Sequence, residues 1–159
     1  SHCYALDPFL ESWQKSTRPG FVEFIRVRVM WGPVHKSHAR LFYTLKALGR
    51  ETDLHTRLFN VIQQGGNQLI GGDDAASARL QAKWAASQGV DEGEVRQAYN
   101  SFGVNSSLQR AEQLTRRYRI DGVPAMIVNG KYLTDVAMAG GHTQLIQLIN
   151  DLSASEKRR

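Results

Sequence analysis

An α/β layer interrupted by a block of helices is the architecture this sequence predicts, and three observations predict it. Residues 21–30 alternate like a strand, the next seventy-odd residues repeat only at helical spacing, and an Asn-Gly hairpin with one last helix closes the chain. With 159 residues, 42% hydrophobic and 22% charged, the chain has the composition of a globular protein with a real core.

The first element is a helix. Leu6, Phe9, Leu10 and Trp13 fall at i, i+3, i+4 and i+7 and carry it towards Ser16, with Pro8 inside as an expected kink. Pro19-Gly20 punctuates. In Phe21–Met30, Ile25, Val27 and Val29 alternate with Arg26 and Arg28, which predicts a strand with the aliphatic face buried and the arginine face partly wet. Trp31-Gly32-Pro33 ends it.

Helices are then expected over about 35–48, stopping at Gly49, and over about 54–64, before Gly65-Gly66. A third follows the N-cap candidate Asp73 and runs to Gly89. A fourth starts at Asp91, with Glu94 three residues on, and carries Val95, Ala98, Tyr99 and Phe102 on one face. A fifth begins near Asn105. Past Asp121-Gly122 the period changes: Ala125–Val128 is a short apolar run, Asn129-Gly130 is a strong hairpin signal, and Lys131–Leu133 is the return strand. After Gly140-Gly141, Leu145, Leu148, Ile149 and Leu152 mark the last helix. Only three strands are visible, so the sheet lacks its centre.

No apolar run approaches the roughly 18 residues of a membrane span, and the first residues lack the pattern of a secretory signal. The formal charge is +5. The basic run Arg116, Arg117, Arg119 is read as the solvated face of an amphipathic helix that also carries Leu114 and Tyr118, in preference to a footprint for nucleic acid or anionic lipid. His35 and His38 are three apart, but no third ligand stands at a diagnostic spacing, so no metal site is expected. His55 and His142 carry no signal.

Two places could carry chemistry. Cys3, the chain's one cysteine, opens the first helix beside His2. A thiol in a first helical turn lies near unpaired backbone N–H groups and the positive end of the dipole, which favours thiolate. Val123-Pro124-Ala125 places a proline at the start of a strand, where it breaks no ladder. A cis peptide is one reason to hold it there, and a trans proline at a strand edge is favoured by base rate.

Together these residues resemble a known family. Ser-His-Cys-Tyr-Ala-Leu-Asp-Pro-Phe-Leu is similar to the active-site helix of DsbA-type thiol–disulfide oxidoreductases, whose motif is Cys-x-His-Cys. The run Gly122-Val-Pro-Ala-Met-Ile-Val-Asn-Gly-Lys-Tyr132 resembles that family's cis-proline loop and hairpin. The resemblance implies a thioredoxin fold with an inserted all-helical domain, its N-terminal strands missing from this chain. It divides the chain into 1–32 (active-site helix and strand), 33–106 (helical insertion) and 107–159 (cis-proline loop, hairpin and last helix). Cys3 would be the resolving second cysteine, and the nucleophile the residue immediately before Ser1. Ser1 and His2 would be the dipeptide that tunes that thiolate. Val123, Pro124 and His2 would meet the bound peptide, with strand-like pairing at the proline loop.

The family implies no cofactor beyond a redox-active disulfide, and no metal. It implies as partners reduced or unfolded secreted proteins and a membrane reoxidant of the DsbB type, and no nucleic acid. The expected protein is a monomer in a bacterial periplasm with its signal peptide already removed. Two other readings stay open on the residues: a relative of the kappa-type glutathione transferases, which the residue before Ser1 would decide, and a non-catalytic peptide-binding module that keeps only the proline groove.

Overall fold

A computed structural model describes residues 2–159. The chain forms α1 (His2–Ser12), a π-helical turn (Trp13–Thr17), α2 (Pro33–Ala47), α3 (Glu51–Gln63), α4 (Asp74–Ser87), α5 (Glu92–Tyr99), α6 (Phe102–Arg117), β1 (Met126–Val128), β2 (Tyr132–Thr134), α7 (Val136–Ala139) and α8 (His142–Lys157). It divides into two compact units. One joins the residues up to Arg26 with Ile120–Arg159, and the other is Val27–Arg119.

In the first, discontinuous unit, α1, β1 and α8 share one core. Leu6, Leu10 and Trp13 pack with Val128, Leu145 and Ile149, and Val22, Phe24 and Met126 lie against them. Trp13 donates its indole N–H to Asn150 Oδ1 at 2.9 Å, which ties the π-turn to α8. The strands β1 and β2 pair antiparallel, with Ile127 opposite Leu133. Their turn has Asn129 at φ 52° and Gly130 at φ 69°. Two consecutive positive φ values are what a type I′ turn demands, and Asn-Gly is the dipeptide that supplies them most easily. The C-terminal end of α8 braces this turn, since Glu156 accepts from Asn129 Nδ2 at 3.1 Å and pairs with Lys131 Nζ at 2.7 Å. Lys131 first, and then Asn129, holds the Glu156 carboxyl below its ordinary range.

The second unit is all helix. Leu41, Leu45, Leu54 and Leu58 pack with Ala82, Ala85 and Val95 in one cluster. In another, Val104, Leu108 and Ala111 of α6 pack on Ala39, Phe42 and Tyr43 of α2. That second cluster is why this unit runs to Arg119 and takes in the whole of α6, beyond the expected helical segment 33–106. Capping fixes the helix starts. Asp73 accepts from Ala76 N, Asp91 from Glu94 N and Ser101 from Val104 N.

Three expectations need correction. Residues 22–30 form no strand: among the described residues the sheet has two strands only, and the backbone here has no ladder to join. Its expected facing is also reversed. Ile25 and Val27 are 57% and 43% exposed, while the Arg26 side chain is 13% exposed and turned inward, because two carboxylates wait for it there. Third, Phe102 does not continue the face of α5. That helix ends at Tyr99, Ser101 caps the next one, and Phe102 opens α6 at 87% exposure.

Candidate active site

Cys3 lies in the first turn of α1, half-buried, with His2 exposed beside it. Ser1, the third residue expected here, lies outside the described residues. The first turn of a helix has N–H groups without intrahelical acceptors, so a thiolate there meets partial positive charge. Leu6 and Leu10 fix this helix in the core, and they do so against the same cluster that receives β1. Pro8 lies on the exposed side of the helix, where its ring removes one backbone donor without intruding on the core.

The second expected element is the loop before β1. The Val123–Pro124 peptide bond is cis, against the trans form that base rate favours. Both residues are half-buried, and two residues further on Met126 starts the strand. Pro124 has no N–H to offer, so the strand begins after it. The structure thus brings the Cys3 helix and the strand launched from Pro124 into one compact unit with one core.

Beneath this end of α1 lies a group of charges that sequence reasoning missed. Arg26 donates from Nη2 to Asp7 Oδ1 at 3.2 Å and to Glu11 Oε1 at 2.7 Å, and from Nη1 to Gln14 Oε1 at 3.4 Å. Its guanidinium also lies 4.9 Å from the centroid of the Phe24 ring. Asp7 is 6% exposed and the Glu11 side chain 15%. Asp7 and Glu11 stand four and eight residues after Cys3, so the cluster runs down the same side of the helix as the thiol. A carboxylate at i+4 on a helix with a buried leucine face was the available signal. Its partner could not be known without the fold.

A second overlooked pair is Phe9 and His142, whose rings stack with centroids 4.7 Å apart and planes 25° from parallel. His142 opens α8, so the stack joins the second half of α1 to the start of α8. His38 Nε2 is 2.7 Å from the Gln68 carbonyl oxygen, which can only accept, so this nitrogen carries the proton. Burial lowers the His38 pKa, with Arg28 and His35 adding to the effect.

Comparison with known proteins supplies the family context. Residues 23–152 match the family described as the DSBA-like thioredoxin domain. The "Thiol:disulfide interchange protein DsbA" of Pseudomonas syringae pv. tomato is 35% identical over 98% of this chain and 70% of its own length. The protein of the same description from Azotobacter vinelandii is 36% identical over the same shares. Among solved structures, the crystal structure of Pseudomonas aeruginosa DsbA superposes with a TM-score of 0.86 at 32% identity, covering 99% of this chain and 78% of that one.

Proposed function

The chain belongs to the DsbA-like thioredoxin family of thiol–disulfide oxidoreductases, and on that footing we propose that Cys3 is the resolving cysteine of a Cys-x-His-Cys site whose first cysteine is the residue before Ser1. The observation that carries this reading is the placement of Cys3. It opens a helix that shares its core with the strand entered through a cis Val123–Pro124 bond.

The chemistry is disulfide transfer to a substrate protein. A substrate thiolate attacks the sulfur of the first cysteine, the bond between that sulfur and Cys3 breaks, and Cys3 leaves as thiolate. A second substrate thiolate then attacks the substrate sulfur of the mixed disulfide and expels the first cysteine. The substrate loses two electrons and two protons and gains a disulfide, and the enzyme is left as a dithiol. The helix N-terminus favours the thiolate of the first cysteine and so lowers the energy of the reduced enzyme, which makes its disulfide oxidising.

In this reading His2 and Ser1 tune the pair, with His2 the stronger contributor through its charge and ring N–H. Val123 and Pro124 hold an extended substrate segment by backbone pairing, with His2 at its margin. The redox-active disulfide is the only prosthetic chemistry. The discontinuous unit supplies the thioredoxin-fold part and residues 27–119 the inserted helices. A monomer working in the bacterial periplasm on reduced, exported proteins and reoxidised by a DsbB-type membrane protein completes the proposal.

The test uses the full-length enzyme and reduced, unfolded ribonuclease. Wild type, added as its disulfide, restores ribonuclease activity, while Cys3→Ser, which cannot hold that disulfide, does not. Mixed instead with scrambled, disulfide-containing ribonuclease, the first cysteine of Cys3→Ser attacks a substrate disulfide, releases one substrate thiolate, and accumulates as a covalent adduct that dithiothreitol dissolves. Full turnover by Cys3→Ser would sink the assignment. Glutathione conjugation without ribonuclease oxidation would favour the kappa-type transferase. Binding of the unfolded chain without oxidation would favour a peptide-binding module.

A further inference from the structure

The two compact units differ in charge. Residues 27–119 hold 13 Lys and Arg against 8 Asp and Glu, whereas the remaining residues hold 7 of each, so the whole formal charge of +5 resides on the helical unit. Within that unit much of the excess lies in the second half of α6 and just past it. Arg110, Arg116, Arg117 and Arg119 are all exposed, and Glu112 is the one acidic residue of the helix.

Three other arginines of this unit are engaged: Arg50 pairs with Asp53, Arg96 with Glu92, and Arg40 donates to the Tyr99 carbonyl. Among the described residues none of these four makes an ion pair. Val104, Leu108 and Ala111 are the buried stripe, and at 100° per residue Arg110, Arg116 and Arg117 project from the opposite half of the helix. Arg119 follows the C-cap at φ 53° and is exposed just past the helix end.

We propose that this face of α6 docks on an anionic phospholipid surface. Four guanidiniums on a convex helix face present forked donors to many phosphates at once, in the manner of juxtamembrane basic clusters. A nucleic acid fits less well. Single strands need exposed aromatic platforms between the cations, and here Gln109 and Gln113 fill the exposed face, while Tyr118 is half-buried with the Arg117 guanidinium 6.0 Å from its ring centroid. The contact is peripheral and reversible, since no helix of the described residues is long and apolar enough to cross a membrane. It does not depend on the redox assignment, because every residue it uses lies on the helical unit.

The experiment is vesicle co-sedimentation of the full-length protein. Vesicles of phosphatidylglycerol with phosphatidylethanolamine are compared with pure phosphatidylcholine vesicles. Binding is expected to the anionic vesicles alone, and to weaken as salt shortens the Debye length from about 10 Å at 0.1 M to about 3 Å at 1 M. Each arginine near such a surface is worth about fivefold in partitioning. The variant R110Q/R116Q/R117Q/R119Q should therefore bind about 600-fold more weakly, and R110Q/R117Q about 25-fold. The pair R110Q/R117Q gives a smaller loss in the same direction and guards against misfolding of the quadruple variant. A control, K36Q/K46Q/R79Q/K83Q, removes the same charge from exposed positions elsewhere on the unit and should stay near wild type. Equal loss in both quadruple variants overturns the proposal, because net charge alone would then explain binding. So does absence of binding to anionic vesicles, or binding to a single-stranded oligonucleotide that competes the vesicles off.

Discussion

Replacing Arg26 by Met removes a guanidinium that Asp7 and Glu11 share while keeping a stem of similar length against Phe24. Breaking a buried ion pair from one side costs about 3–5 kcal/mol, because a charge that has lost that partner remains out of water. Asp7 is 6% exposed, but the Glu11 side chain keeps 15% exposure and retains Lys15 as a second partner at 3.2 Å. The lower end of the range therefore applies, about 3 kcal/mol. For a chain of this size one kcal/mol moves Tm by about 2–4 °C, so the melting temperature should fall by about 6–12 °C. Urea unfolding followed by circular dichroism gives the free energy directly, with the midpoint moving and the slope unchanged. The triple variant D7N/E11Q/R26M removes the stranded charges and should recover about 2 kcal/mol of the loss. A loss below about 1 kcal/mol for R26M, the size of an exposed pair, would refute the claim that this cluster is buried and coupled.

The remaining expectations concern the helical unit. His38 has its pKa lowered from 6.5 by burial, so the folded state binds fewer protons than the unfolded chain just below that value. Stability should be complete above about pH 6.5 and decline as pH falls through it, and His38→Gln should flatten that decline; a wild-type urea midpoint constant from pH 7.5 to 5.5 would contradict this. Gly71→Ala should destabilise by about 1–3 kcal/mol, since a Cβ there would lie 2.5 Å from the Ala76 Cβ and 2.9 Å from its carbonyl carbon. The same substitution at Gly72, where nothing lies within 4 Å, serves as the unperturbed comparison in thermal melts.

What the sequence disclosed and what it withheld divide by the range of the forces involved. Helix starts at Asp73, Asp91 and the Asn129-Gly130 turn depend on a side chain and a backbone group three residues apart or closer, and they were legible. Phe102 shows the limit of that reading. Its spacing from Val95 and Tyr99 suits one helix, but the Ser101 cap ends the periodicity, and a cap outweighs a coincidence of period. The segment 22–30 failed for a different reason. Alternation says that a chain could lie in a sheet, whereas a ladder partner decides whether it does and which face turns inward. Arg26 was placed on the wet side because a lone arginine prefers water; two carboxylates from α1 reversed that preference. The cis form of Val123–Pro124 was also beyond local reading, since the sequence marks the position and the fold selects the isomer. Membership of the family was readable because Cys3, Pro8 and the proline loop stand at fixed places, not because any one of them is diagnostic.

The division of the chain into a continuous and a discontinuous unit also orders its folding in time. Every residue that residues 27–119 need for their two cores is present once α6 has been made. The core around Leu6 and Leu10 has no such independence, because Val128, Leu145 and Ile149 come from the far end of the chain. On a ribosome or a translocation channel, which deliver the chain from its N-terminus, the helical unit can close first. The first helix then waits, its apolar face uncovered, until α8 arrives. A newly made molecule therefore passes through an interval in which its own cysteine is as accessible as those of the proteins it serves.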